Sequence, residues 1–176
     1  AGEYLKANGY QIKVFNLINP KESNKYNPFF YIRTETDVIK LITNLMKNTT
    51  PKKSSSSDPF WEKSESLFLQ ALFYYVWMEM PPGRKNIVSV LELLAEAKRE
   101  KDEPSRLDRR FELLARTSPL GEDHPAVRQY RKVMDSADNT VKSIIISVNA
   151  RLAFLENESI KELLEMDELN FGELGI

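Results

Sequence analysis

The segment 58–80, DPFWEKSESLFLQALFYYVWMEM, constrains the fold more than any other: it starts as a helix must, runs apolar, and ends against two prolines. The Asp58 carboxylate is placed to accept from a free N–H of the first turn, and Pro59 suits the first helical position. Pro81 and Pro82 forbid continuation. Between Leu67 and Met78 only Gln70 is clearly polar, so the helix is apolar on nearly every side and needs other helices around it. A membrane span requires about 20 apolar residues, whereas this run is shorter and closely flanked by Glu65 and Glu79. The expectation is a soluble helical core.

Composition narrows the chemistry. The chain has 176 residues, enough for one domain that buries about 70% of its unfolded surface without a staple. With no Cys and a single His, thiol chemistry and most zinc chemistry are excluded. The 25 basic residues are balanced by 26 acidic ones, so binding to nucleic acid or anionic lipid has to be local.

The N-terminal part reads differently from the rest. Residues 3–7 resemble a last helical turn, with Asn8-Gly9 supplying the left-handed residue that closes it. Residues 10–18, YQIKVFNLI, are β-branched and aromatic, which predicts a buried strand of the kind found in a parallel sheet. No second strand is evident, so its partners are expected outside this chain. At the other end, NFGELGI begins what looks like a new apolar element. Both ends suit a helical insertion in an α/β domain.

The intervening residues are read as helical. Thr34 and Asp37 form a capping pair ahead of Val38, Leu41, Ile42, Leu45 and Met46. Residues 49–57, with four serines, predict a mobile loop. Asn86 caps a helix bearing Ile87, Val90, Leu91 and Leu94, and 98–103 is a solvated charge run. Leu107, Phe111 and Leu114 line a shorter helix, and Ser118-Pro119-Leu120-Gly121 makes a turn. Pro125 opens a pattern through Val127, Tyr130 and Met134, which continues with Val141, Ile144, Ile145, Val148 and Leu152 after a break near Asp138. The 3.6-residue period on both sides makes Ile144-Ile145-Ile146 helical. Asn157 caps a last helix with Ile160, Leu163 and Leu164.

Catalytic patterns are scarce. The six glycines lack phosphate-loop spacing. Asp138-Asn139-Thr140-Val141-Lys142-Ser143 echoes such a loop, but it has no glycine and lies in a helical pattern. His124, ahead of a proline, suits a cap or exposed turn. The acids Glu156, Glu158, Glu162, Glu165, Asp167 and Glu168 form a solvated face. Phe60, Trp61, Tyr74, Tyr75 and Trp77 are assigned to the core rather than to base stacking. The candidate binding residues are two basic clusters: Arg106, Arg109 and Arg110, then Arg128, Arg131 and Lys132 one helix later. If those helices are antiparallel neighbours, the six cations form a patch able to contact phosphates. Asp108, Glu112, Glu122 and Asp123 are close enough to pair with them, and ordinary surface ion pairs are the favoured reading.

The segments GYQIKVFNLINPKESNKYNPFFYI, LITNLMKNTTP, DPFWEKSESLFLQALFYYV, HPAVRQY and VKSIIISVNARL together resemble the type IV secretion coupling proteins of conjugative elements in Gram-positive bacteria. The resemblance implies membrane-anchored, hexameric, motor-like ATPases that link processed DNA and its relaxase to the transfer channel. It identifies this chain with their all-alpha domain, a mainly α multi-helix bundle around the central helix at about 59–80. The strand at about 10–18 would then be left from the flanking nucleotide-binding domain. Residues 1–25 are expected to be the edge of that domain, 26–170 the all-alpha domain, and 171–176 the return. Before Lys142-Ser143, relatives often carry Gly-Lys-Thr where this chain has Asp138-Asn139-Thr140. The phosphate loop and acidic metal-binding strand of the family have no match here, so the expected role is non-catalytic, with no cofactor and no metal. That role is substrate recruitment on the cytoplasmic side of the membrane, with relaxase and relaxosome proteins as partners. Single-stranded DNA contact and a protein-only adaptor remain alternative forms of it.

Overall fold

The computed structural model describes residues 2–50, 59–98 and 103–173, and eight α-helices lie among them. They are α1 (Gly2–Ala7), α2 (Glu35–Thr49), α3 (Pro59–Glu79), α4 (Ile87–Ala95), α5 (Arg106–Thr117), α6 (Pro125–Met134), α7 (Asp138–Leu152) and α8 (Glu158–Leu164). Short 3-10 turns fill several of the connections.

α3 occupies the centre because it has no face suited to water. Phe68, Leu69, Ala71, Leu72, Phe73, Tyr74 and Val76 are all buried, and together they point in every direction around the helix axis. Fully burying a side chain of Leu or Phe size stabilises by about 1.5–3 kcal/mol, so enclosing this helix from several sides is favoured. α6 makes the most extensive contact, with α2, α7 and α4 on the remaining sides. Phe29, in the 3-10 turn Pro28–Tyr31, stacks on Phe73 with centroids 5.3 Å apart.

The helix boundaries follow local chemistry. The Asp37 carboxylate accepts from the Thr34 N–H at 3.0 Å and the Thr34 hydroxyl at 2.9 Å, fixing the start of α2. Asn86 accepts from Ser89 N–H at 2.9 Å at the head of α4, and Asn157 accepts from Ser159 N–H at 3.0 Å at the head of α8. The turn after α1 closes on Gly9, whose φ of +84° is the left-handed conformation, and Tyr10 N–H reaches back to Leu5 O. The break expected near Asp138 falls at 135–137, and Ile144, Ile145 and Ile146 lie within α7.

The predicted strand at 10–18 is corrected: there is no β-strand among the described residues. Residues 10–16 have no regular secondary structure, and what would be their ladder is replaced by isolated bonds. Val14 N–H donates to Asn24 Oδ1 at 2.8 Å, Asn24 N–H to Val14 O at 2.7 Å, and Asn16 N–H to Ser23 Oγ at 2.8 Å. High β-propensity without an adjacent strand gives no sheet. Nor is the segment buried: Tyr10, Val14, Phe15, Leu17 and Ile18 are all exposed.

A second correction concerns Phe60 and Trp61. They are exposed at 48% and 37%, and burial on α3 begins only at Ser64. Tyr74 is buried as expected, while Tyr75 and Trp77 are half-buried. The proposed cap Asp58 and the predicted mobile loop beyond Thr50 lie outside the described residues. So do most of the 98–103 charge run and the last three residues of NFGELGI.

Two polar features hold distant segments together. Glu65, buried on α3, receives Arg151 of α7 through Nε at 2.8 Å and Nη2 at 2.5 Å, and also bonds to Ser147 Oγ. The Nη1 atom of the same arginine donates to Met46 O, Thr49 Oγ1 and Thr50 Oγ1, satisfying the end of α2. Near the chain ends, Asp167 accepts from Tyr31 Oη at 2.6 Å, Asn27 N–H at 3.1 Å and Asn170 N–H at 2.9 Å. Glu168 accepts from Lys25 N–H at 2.9 Å. Thus these two of the C-terminal acids are not simply solvated.

Candidate partner interface

α5 and α6 pack against each other. Leu107, Phe111 and Leu114 turn inward from α5, and Val127, Tyr130 and Val133 from α6. Phe111 and Tyr130 stack face to face at 3.9 Å and 5°. Asp108 locks the register: one oxygen accepts from Ser105 N–H at 2.7 Å, closing the capping box of α5, and the other accepts from Tyr130 Oη at 2.8 Å.

His124 begins α6 as a buried cap, not as an exposed turn residue. Its Nδ1 accepts from Ala126 N–H at 3.1 Å, which leaves Nε2 to donate to Glu79 Oε1 at 3.0 Å. Both ring nitrogens are therefore engaged in tying α6 to the end of α3.

The six sequence-predicted cations separate into different environments. Arg110 is withdrawn towards α4, making a two-pronged contact with Glu96 at 2.8 and 2.6 Å and lying 5.8 Å from the Tyr75 ring centroid. Donation to the Glu96 carboxylate raises its pKa above the usual arginine value. Arg131 is bound by Glu112 at 2.8 Å and by Glu122 at 3.0 and 3.2 Å, and these contacts, Glu122 foremost, raise its pKa as well. Glu112 also accepts from Arg116 at 3.1 Å, and the two arginines, Arg131 foremost, hold its carboxyl below the usual range. Arg109 is exposed and reaches Glu103 at 3.4 Å. Lys132 donates to Gln129 Oε1 at 3.1 Å. Arg106 and Arg128 are exposed.

Arg109 and Arg131 meet across an open groove of about 580 Å³ whose floor includes Pro104, Tyr130 and Met134. Arg106 instead joins Arg109 in a neighbouring groove beside the end of α4, and Arg128 and Lys132 line neither of these two. Lys142 of α7 completes the cations of the first groove, whose carboxylates are Glu103, Asp108, Glu112 and Asp138. From the sequence Lys142 stood only in the phosphate-loop echo, because its place in this groove depends on where the start of α7 lies relative to α5. The surface can therefore offer both charge signs around an apolar floor.

The 138–143 stretch that echoed a phosphate loop is the first part of α7, and the Ser143 hydroxyl donates to Asn139 O at 2.9 Å. Among the described residues no group of acidic or His side chains is arranged to hold a metal ion, and no helix is long and apolar enough to cross a membrane.

A search of curated proteins and of solved structures finds no match. A family model described as type IV secretory system conjugative DNA transfer, however, matches residues 2–176. With that match over nearly the whole chain, and with the helical bundle that the quoted motifs implied, the chain belongs to the type IV secretory system conjugative DNA transfer family.

Proposed function

We propose that this chain is the substrate-recruitment domain of a conjugative coupling protein, and that it performs no covalent chemistry itself. The observation that carries this reading is the mixed-charge groove between α5 and α6, together with the family match. Three cations and four carboxylates around Pro104, Tyr130 and Met134 suit the varied surface of a relaxosome protein better than a uniformly anionic strand. Residues 26–170 form the recruiting body at the cytoplasmic side of the membrane, and residues 1–25 belong to the edge of the parent nucleotide-binding domain. In support of that boundary, no residue from 2 to 26 is buried, and burial starts at Asn27.

Direct single-stranded DNA contact is the second reading, favoured by the exposure of Arg106, Arg109, Arg128 and Lys132. Titration of a conjugative relaxase, and of labelled single-stranded DNA, at several salt concentrations distinguishes the two. Recruitment through protein predicts relaxase binding that survives nuclease and weakens with Arg109→Glu. DNA binding whose salt slope flattens in Arg109→Glu and Arg131→Glu would favour the second reading. Absence of binding to either partner overturns both.

A further inference from the structure

A different groove, between the end of α4 and α7, has a chemistry unlike that of the α5–α6 surface. It measures about 520 Å³ and is lined by Leu94 and Ala97 on one wall and Ile145 and Ile146 on the other. Each wall also contributes a lysine, Lys98 beyond α4 and Lys142 on α7, and no carboxylate is among the described lining residues. Ile146 is 68% exposed, although it sits on a regular helix where a polar side chain would satisfy the fold equally well.

An apolar trough between two helices accepts the side-chain ridge of a third. Its two lysines select against basic partners and for acidic ones, by the same charge complementarity that governs other interfaces. Nucleic acid is a poor fit because the described lining residues include no aromatic ring for a base to stack on. A lipid surface is equally poor, since a membrane-binding patch is built from larger basic clusters on a convex or flat face.

We propose that this groove receives an amphipathic helix of a partner protein, with its apolar ridge over Ile145 and Ile146 and its carboxylates against Lys98 and Lys142. The assignment goes beyond the recruitment reading: Lys142 borders both grooves, but Ala97, Lys98, Ile145 and Ile146 lie outside the α5–α6 groove, so Ile146→Asp and Lys98→Glu test this one alone.

The test uses the 176-residue chain and labelled helical peptides of about 15 residues. In one peptide an apolar ridge at i, i+3, i+4 and i+7 is flanked by glutamates; in its counterpart the glutamates are lysines. Fluorescence anisotropy should show saturable binding of the acidic peptide and at least about tenfold weaker binding of the basic one. Ile146→Asp and Lys98→Glu should each weaken the acidic peptide about fivefold or more, and Lys98→Glu with Lys142→Glu should reverse the charge preference. Because Ile146 is exposed, Ile146→Asp should keep the helical circular dichroism and melting temperature of the parent, so a loss of binding reads the groove. Equal affinity for both peptides, no saturable binding, or indifference to Ile146→Asp overturns the proposal. Sedimentation that reveals a dimer abolished by Ile146→Asp would assign the groove to a second copy, and that also overturns it.

Discussion

At the residue scale, the Glu65–Arg151 pair shows how strongly a buried charge depends on its partner. The two side chains are 6% and 11% exposed, and Arg151 spans from α3 to the Met46 carbonyl and the threonine hydroxyls at the end of α2. Arg151→Ala strands the Glu65 carboxylate, with an expected loss of about 3–5 kcal/mol in urea unfolding. Glu65→Leu with Arg151→Met removes both charges and should lose less than that single change, which a double-mutant cycle would register. Glu112 offers a gentler, pH-dependent case. Arg131 and Arg116 lower its pKa in the folded chain below the ordinary value of 4.5. Its contribution is therefore fully present above that value and disappears as pH falls through the lowered one. The difference in urea midpoint between the parent and Glu112→Gln should be widest above pH 4.5 and close on acidification; a gap that stays constant into strong acid would contradict the assignment.

At the element scale, α5 and α6 are short helices joined to each other by the Phe111–Tyr130 stack and by Asp108 and Arg131, while α6 also packs along α3. Ser105→Ala removes both the cap of α5 and its hydroxyl contact with Asp108, with an expected cost of about 1 kcal/mol. Phe111→Ala removes the ring packed between Tyr75 and Tyr130, and about 3–5 kcal/mol should be lost in thermal or chemical unfolding. A loss below 1 kcal/mol for Phe111→Ala would mean that the groove is not organised by this stack. Much of this was legible in advance, because Leu107, Phe111 and Leu114 repeat at helical spacing and Pro125 marks a helix start. His124 was legible only as a cap or turn residue. Its burial and its bond to Glu79 depend on where the end of α3 lies, which no local pattern encodes.

At the scale of the whole molecule, Asp167 and Glu168 fasten the C-terminal segment to residues 25–31. Asp167→Ala removes the acceptor for two backbone N–H groups and the Tyr31 hydroxyl, and should cost about 1–3 kcal/mol. The same change should raise amide exchange at 25–31 without altering that of α3; unchanged exchange there would show that the clasp is dispensable. The sequence alone determined the central helix, its enclosure by others, most helix caps and the family motifs, because these depend on neighbouring residues and on helical period. It did not determine the state of 10–18: its strand propensity was clear, but a strand exists only when another supplies its hydrogen bonds, and none does among the described residues. Nor did it decide which cations remain open to a partner. Arg110 and Arg131 looked equivalent to Arg106 and Arg128 in their spacing, yet Glu96, Glu112 and Glu122 bind the first two. Electrostatic pairing acts through space over a few ångströms, so only the packing of α4, α5 and α6 could sort the bound charges from the available ones.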